Sequence, residues 1–146
     1  MTLFEDILAG RSPGEIVYQD ERVGVIMDIA PMNPGHCLVI PRTPASGLQD
    51  LDPADGERMF RVAQKVAKTL PVVVPGCQGI NLFLADGRAA GQEVMHVHLH
   101  VIPRLAADGI RLHRVNAEAT EKGSRDAISQ VAEMLRHRLA DDPRGG

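Results

Sequence analysis

The sequence predicts an α+β fold built on an antiparallel sheet. Two observations carry that expectation. β-rich runs joined by short polar or Pro/Gly-bearing connections come first, at 15–18, 23–28 and 36–40, and one long amphipathic run at 53–70 follows them. Strands and helices therefore do not alternate in the strict βαβ order that a parallel sheet needs.

The chain opens with Thr2-Leu3-Phe4-Glu5, the Ser/Thr-x-x-Glu pattern of a capping box, ahead of Ile7 and Leu8 at helical spacing and Gly10 where a C-terminal cap belongs. A short opening helix follows from it. Glu15 to Tyr18 and Val23 to Asp28 then read as a hairpin across polar Gln19 to Arg22. Alternation in the second run puts Ile26 and Asp28 on one face and Val25 and Met27 on the other. Pro31, Pro34 and Gly35 force an irregular loop, after which His36, Leu38 and Ile40 share a strand face until Pro41 and Pro44.

Asp52 and Pro53 are a good N-cap and first helical residue, and Met59, Val62, Ala63, Val66, Ala67 and Leu70 keep the amphipathic period. The helix is expected over 53–70, with Pro71 as its stop. Ile80 to Leu84 reads as a strand and Ala85 to Gly91 as a flexible loop. Leu105 to Gly123 has no clear period and reads as a loop near the preceding strand. Ser124 then starts a C-terminal helix striped by Ile128, Val131, Ala132, Leu135 and Leu139, ending in a frayed tail, Asp141 to Gly146.

At 146 residues, one domain spanning 1–146 suffices, its core about 2–104 and its C-terminal loop and helix 105–146. With 16 Lys+Arg against 19 Asp+Glu and no long run of either sign, nothing marks a nucleic-acid partner. Cys37 and Cys77 follow no metal or redox spacing and read as buried thiols, which suits a reducing compartment. No 18-residue apolar segment or signal peptide is present, so the expectation is a soluble cytoplasmic protein without a membrane partner.

The chemistry concentrates in His96-Val97-His98-Leu99-His100-Val101-Ile102. On an extended backbone the three imidazoles fall on one face, about 6.5 to 7 Å apart, and the aliphatic residues on the other. Several of them could then address one phosphate or metal ion. A histidine is half-neutral near pH 6.5, so its ring nitrogen serves as nucleophile or base at pH 7, and a neutral imidazole attacks a phosphoryl centre without meeting the repulsion an anion would.

This run, preceded by Ala90-Gly91-Gln92-Glu93-Val94 and followed by Pro103-Arg104, resembles the signature of the histidine-triad nucleotide-binding family, and Ile26 to Pro41 resembles that family's other recurrent segment. The resemblance covers about residues 2–104. It implies a histidine-triad-like fold with a five-stranded sheet, one main helix and a C-terminal helix, and a two-fold homodimer joining two sheets through the helix and central strand. It assigns the nucleophile to His98, with His100 and His36 orienting it and contacting phosphate and His96 completing the catalytic set. It places Asp28 on the ribose hydroxyls. Ile26 and Leu38 could sandwich a purine, and Gln92 with the backbone around Glu93 could hold the α-phosphate, with Asn33 on the same rim.

Some bacterial members bind structural zinc through cysteines at the positions of Thr2 and Glu5 and a histidine at that of Pro44. Three of four ligands are thus replaced, and neither metal nor cofactor is expected. Where the family commonly supplies an Asn or Gln before Asp86-Gly87, this chain has Ala85, which removes a hydrogen bond worth about 0.5 to 1.5 kcal/mol.

The expected activity is hydrolysis or transfer at the α-phosphate of a purine nucleotide or adenylylated small molecule, such as a dinucleoside polyphosphate or nucleoside phosphoramidate, through a nucleotidyl-His98 intermediate. Two other readings stay open. One is a nucleotide-binding protein with little or no physiological catalysis, and the other a histidine-rich metal protein. The bland readings stand beside these: Asp28 could cap the turn after it, and Gln92 could anchor its own loop.

Overall fold

The computed structural model describes residues 1–111 and 125–140. The chain divides into two compact units, Met1–Ile110 and Arg111–Gly146.

The first unit is a five-stranded antiparallel sheet covered by a helix on each face. Helix α1 (Leu3–Leu8) is followed by β1 (Ile16–Gln19), β2 (Val23–Met27) and β3 (Cys37–Pro41). Helix α2 (Pro53–Val73), β4 (Cys77–Phe83) and β5 (Leu99–Leu105) complete it, and the strands lie in the order β1-β2-β3-β5-β4. All pairs are antiparallel, as the hairpin-first pattern predicted.

Strict alternation assigns each face its own helix. Val23 and Val25 of β2, Cys37 and Val39 of β3, and Val97 and Val101 pack on Met59, Val62, Ala63 and Leu70 of α2. The intervening residues Ile26, Leu38 and Ile40 pack on Phe4, Ile7 and Leu8 of α1. A shift of one residue in β2 or β3 would exchange the two sets, so burial on both sides pins the register Ile26 to Leu38 and Val25 to Val39. Gly24 is what lets α1 approach: a Cβ there would collide with Leu8 Cδ2.

The capping box of α1 forms as expected. The Glu5 backbone N–H donates to Thr2 Oγ1 (3.2 Å) and the Thr2 N–H to Glu5 Oε2 (2.6 Å). Thr2→Val should cost about 1 to 2 kcal/mol, read as a lower urea midpoint, because it removes this cap and a further bond to His96 described below. A midpoint equal to that of the parent protein would show that packing alone seats α1.

The end of α2 and the start of β4 differ from the sequence reading. Helix α2 begins where Asp52 accepts from the Ala54 N–H (2.9 Å), but it runs through Pro71 to Val73. So close to the C-terminus the proline forfeits one backbone bond, while buried Leu70 and Val74 hold the last turn on the core and the Val74 N–H still reaches the Leu70 carbonyl (2.8 Å). Strand β4 starts at Cys77 rather than Ile80, because pairing with β5 extends through an irregularity between Cys77 and Gly79. Both cysteines are free, and burial pushes the Cys37 thiol up to about 11.

In the second unit, α3 spans Arg125–Ala140, and none of its residues is buried. The expected helix start at Ser124, most of the loop before it and the tail 141–146 lie outside the described residues. No helix among the described residues is long and apolar enough to cross a membrane.

Candidate active site

The histidines form a graded row from the interior outwards. Only His100 belongs to the β5 ladder, which begins at Leu99 rather than at His96; His96 closes a bend and His98 lies between it and the strand, yet Val97 still turns into the α2 core. His96 is wholly buried, His98 keeps 8% of its surface exposed, and the side chain of His100 keeps 19%. Phe4 of α1 meets His96 and His98 edge-on, with ring centroids at 5.7 and 5.0 Å, and His98 lies 4.9 Å from His100. His36 stands on the far side of His100, at 5.1 Å.

Neighbouring groups fix which ring nitrogen of each carries the proton. His98 Nδ1 lies 2.8 Å from the His96 carbonyl, which only accepts, so Nδ1 is protonated and Nε2 keeps the lone pair. His96 Nε2 donates to the Pro41 carbonyl (2.7 Å), and its Nδ1 accepts from the Thr2 hydroxyl (2.6 Å). His36 Nδ1 accepts from the Met32 N–H (3.1 Å), which puts the proton on Nε2, and that nitrogen donates to His100 Nδ1 (2.8 Å). His100 therefore carries its own proton on Nε2. The four rings thus hold one nucleophilic lone pair, on His98, beside an N–H donor, on His100.

Asp28 completes the cluster. Its Oδ1 accepts from the Ala30 N–H (2.9 Å), so it caps the turn, while Oδ2 lies 3.4 Å from His36 Nε2 and 4.0 Å from His100 Nδ1. Turn cap and site wall are one residue.

These three groups are also the one candidate metal set among the described residues, their ligand atoms all within 4.8 Å of one another. The spacing suits a divalent ion, whose N and O ligands sit at about 2.0 to 2.2 Å. The proton order does not. His36 Nε2 is a donor as long as Nδ1 accepts from Met32, so ligation through Nε2 would move the proton to Nδ1 and forfeit the backbone bond.

Burial lowers the basicity of His36, His96 and His100. It pushes His100 down to about 4, helped by His98 and His36 and opposed by Asp28, and it lowers His36 and His96 as well. His100, ordinarily near 6.5, is thus uncharged at neutral pH. A depressed histidine stabilises the fold fully above its unfolded value and loses that contribution as pH falls towards its folded one. Stability should therefore drop by roughly 3 kcal/mol from this group as pH falls from 6.5 to 4. Urea unfolding at a series of pH values reads this, and a flat midpoint across that window would refute it.

Sheet topology brings the site together. Asp28 follows β2 and His36 precedes β3, joined by the Asp28 N–H donating to the His36 carbonyl (3.0 Å), and Leu38 pairs with His100 on β5, so three adjacent strands bring the groups together. The model described as the HIT domain, for histidine triad, matches residues 9–107. The chain belongs to the HIT family.

An uncharacterized HIT-like protein of Borreliella burgdorferi is 38% identical over 115 residues, spanning 78% of this chain and 83% of that protein. An adenylylsulfatase of Arabidopsis thaliana is 29% identical over 135 residues, spanning 92% of this chain and 68% of its own. Among solved structures, a HIT family member from Bacillus subtilis superposes with a TM-score of 0.83 at 28% identity, covering 97% of this chain and 99% of that one.

Not every residue singled out in this HIT chain reaches the cluster. Asp28, His36, His98 and His100 do. His96 is sealed beneath α1, both nitrogens engaged. Ile26 and Leu38 were expected to sandwich a purine, but α1 closes over them and they present no open face. Gln92 is the loop anchor: its amide nitrogen donates to the Ser46 and Val94 carbonyls and its oxygen accepts from the Gly87 N–H, so both donors are used within the protein. Asn33 likewise donates to the Pro103 carbonyl and Asp108, and Glu93 is exposed.

Two aromatic neighbours went unread as site residues. Phe4 walls His98, and Phe83 of β4 lies 5.7 Å from His100, opposite it in register. Only the pairing of β4 with β5 identifies Phe83; Phe4 carried a signal as the third residue of the capping box.

Proposed function

We propose that this HIT protein cleaves the α-phosphate bond of an adenylylated substrate through a nucleotidyl-His98 intermediate. The observation that carries the reading is the proton order: His98 offers a lone pair on Nε2, and its Nδ1–H is tied to a backbone carbonyl. That lone pair forms a bond to the α-phosphorus as the bond to the leaving group breaks; the leaving group keeps the electron pair and takes a proton from solvent. Because Nδ1 stays protonated, positive charge develops on the ring in the transition state. The His96 carbonyl at 2.8 Å is aimed at it and stabilises it without rearrangement. His100 Nε2–H faces the phosphoryl oxygens. Water then attacks the phosphorus and gives up a proton to solvent as the P–N bond breaks and its electron pair returns to Nε2.

Asp28 is suited to the ribose hydroxyls through Oδ2, since Oδ1 is committed to Ala30. With Gln92 engaged, the α-phosphate oxygens are left to His100 and to the backbone beside Glu93. The relative named adenylylsulfatase supports an adenylyl donor as the substrate class. The free cysteines fit a reducing, cytoplasmic setting.

Homodimer formation belongs to the same reading, with one change. The central strand β3 is paired on both sides, so sheets could join only at an edge, and seven-residue β4 with exposed Leu82 and Phe83 is the edge suited to it.

A panel of AMP conjugates with phosphoanhydride, phosphoramidate and sulfate leaving groups tests the proposal. AMP release, and a nucleotidyl adduct on the His98 peptide after alkaline quench, are expected for at least one member. Tight AMP binding with no release across the panel would favour the alternative, a nucleotide-binding protein without physiological catalysis, for which Ala85 is the sequence support.

A further inference from the structure

A polar network on the other side of the Asp28–His36 loop has no part in the chemistry above. Asp108, whose side chain is 6% exposed, receives five hydrogen bonds. Arg104 supplies two of them through Nε and Nη2 (both 2.8 Å), the Leu105 and Ile110 N–H groups two more, and Asn33 Nδ2 the fifth at 2.9 Å. Arg104 also donates to Asn81 Oδ1 on β4 (2.7 Å) and to the Ile110 carbonyl (2.6 Å). The second Asn33 donor reaches the Pro103 carbonyl at 3.0 Å.

Asn33 is the only residue of that network in the loop between Asp28 and His36, and the loop's contacts with His36 begin there. Its carbonyl accepts the His36 backbone N–H (3.1 Å), and the N–H of its chain neighbour Met32 is the donor to His36 Nδ1. Pro31 and Pro34 flank the pair. The segment is thus stiff but short of donors, and its inward anchor is the Asn33 amide.

We infer that Arg104, Asp108 and Asn33 are positioning residues that hold Met32 and Asn33 against His36 and so impose its Nε2–H tautomer. The consequence runs down the row. If Nδ1 of His36 carried the proton, Nε2 would face His100 Nδ1 as a second acceptor, and His100 would have to turn its donor inward to meet it. The N–H assigned to the phosphoryl oxygens would then be lost. Asp108 lies outside the cluster and touches none of the reacting groups, so its influence must pass through Asn33. The inference about the tautomer stands on geometry alone; its effect on turnover rests on the nucleotidyl-transfer reading above.

Ring nitrogen chemical shifts in the whole protein read the tautomer directly, without substrate. In the parent protein His36 is expected to show a protonated Nε2 and a bare Nδ1. Asn33→Ala and Asp108→Asn should each convert it to a mixture of tautomers, with kcat lowered about tenfold and KM within about twofold. Asn81→Ala removes one bond from Arg104 on the side away from the loop and should alter neither spectrum nor kcat. Cooperative thermal unfolding of Asn33→Ala shows that its effect is local.

A His36 protonated on Nδ1 in the parent, or an Nε2–H tautomer retained in both variants, overturns the inference. So does an Asn81→Ala variant that shifts the tautomer equally, which would mark the network as general scaffolding. Absence of any turnover in the parent would instead strike the proposed activity and leave the tautomer result standing.

Discussion

Replacing His98 with alanine is expected to lower turnover of a responsive AMP conjugate by at least about a thousand-fold, with AMP binding kept within about threefold. The asymmetry follows from geometry. His98 supplies the atom that bonds to phosphorus, and nothing beside it can stand in: His100 presents its lone pair to His36, and both nitrogens of His96 are engaged in the interior. Binding draws on other groups, chiefly Asp28 and the His100 donor. His98→Ala leaves those in place and opens a small cavity beside Phe4. Single-turnover kinetics and calorimetric titration with AMP measure the two halves separately. Turnover within tenfold of the parent would remove His98 from the chemistry, whatever happened to AMP affinity.

Much of this site was legible in the sequence because alternation is a local rule. The faces of Ile26 with Asp28 and of His36 with Leu38 and Ile40 came out as read, since two buried sheet faces leave no freedom of register. The capping box was legible for the same reason: its partners lie within four residues.

What could not be read depends on partners distant in the chain. The sequence places three histidines on one face but does not say how far α1 extends over them, and that cover grades the set from a sealed His96 through a nearly buried His98 to a half-buried His100. It hides Ile26 and Leu38 by the same act. Gln92 could have served phosphate or loop until Ser46, from 46 residues earlier, claimed its amide. The reach of α2 past Pro71 rests on Leu70 and Val74 finding the core, a tertiary term that outweighs the loss of one helical bond.

The second large effect belongs to His96, and it should be an effect on stability. His96→Ala is expected to cost about 3 to 5 kcal/mol, a fall in melting temperature of roughly 10 °C, with kcat of the folded protein reduced less than tenfold. The ring has no exposed surface, so its removal leaves a cavity under Phe4 and strips a partner from both the Pro41 carbonyl and the Thr2 hydroxyl. Those bonds join α1 to the end of β3, elements 94 and 55 residues from His96 in sequence. The group His96 lends to chemistry is its backbone carbonyl, which holds His98 Nδ1 and survives substitution of the side chain. His96 and His98 thus separate a scaffold role from a chemical one within a single motif, and thermal unfolding set beside kcat at low temperature tells them apart. An unchanged melting temperature with kcat reduced as far as in His98→Ala would place the His96 imidazole in the reaction and break the division drawn between them.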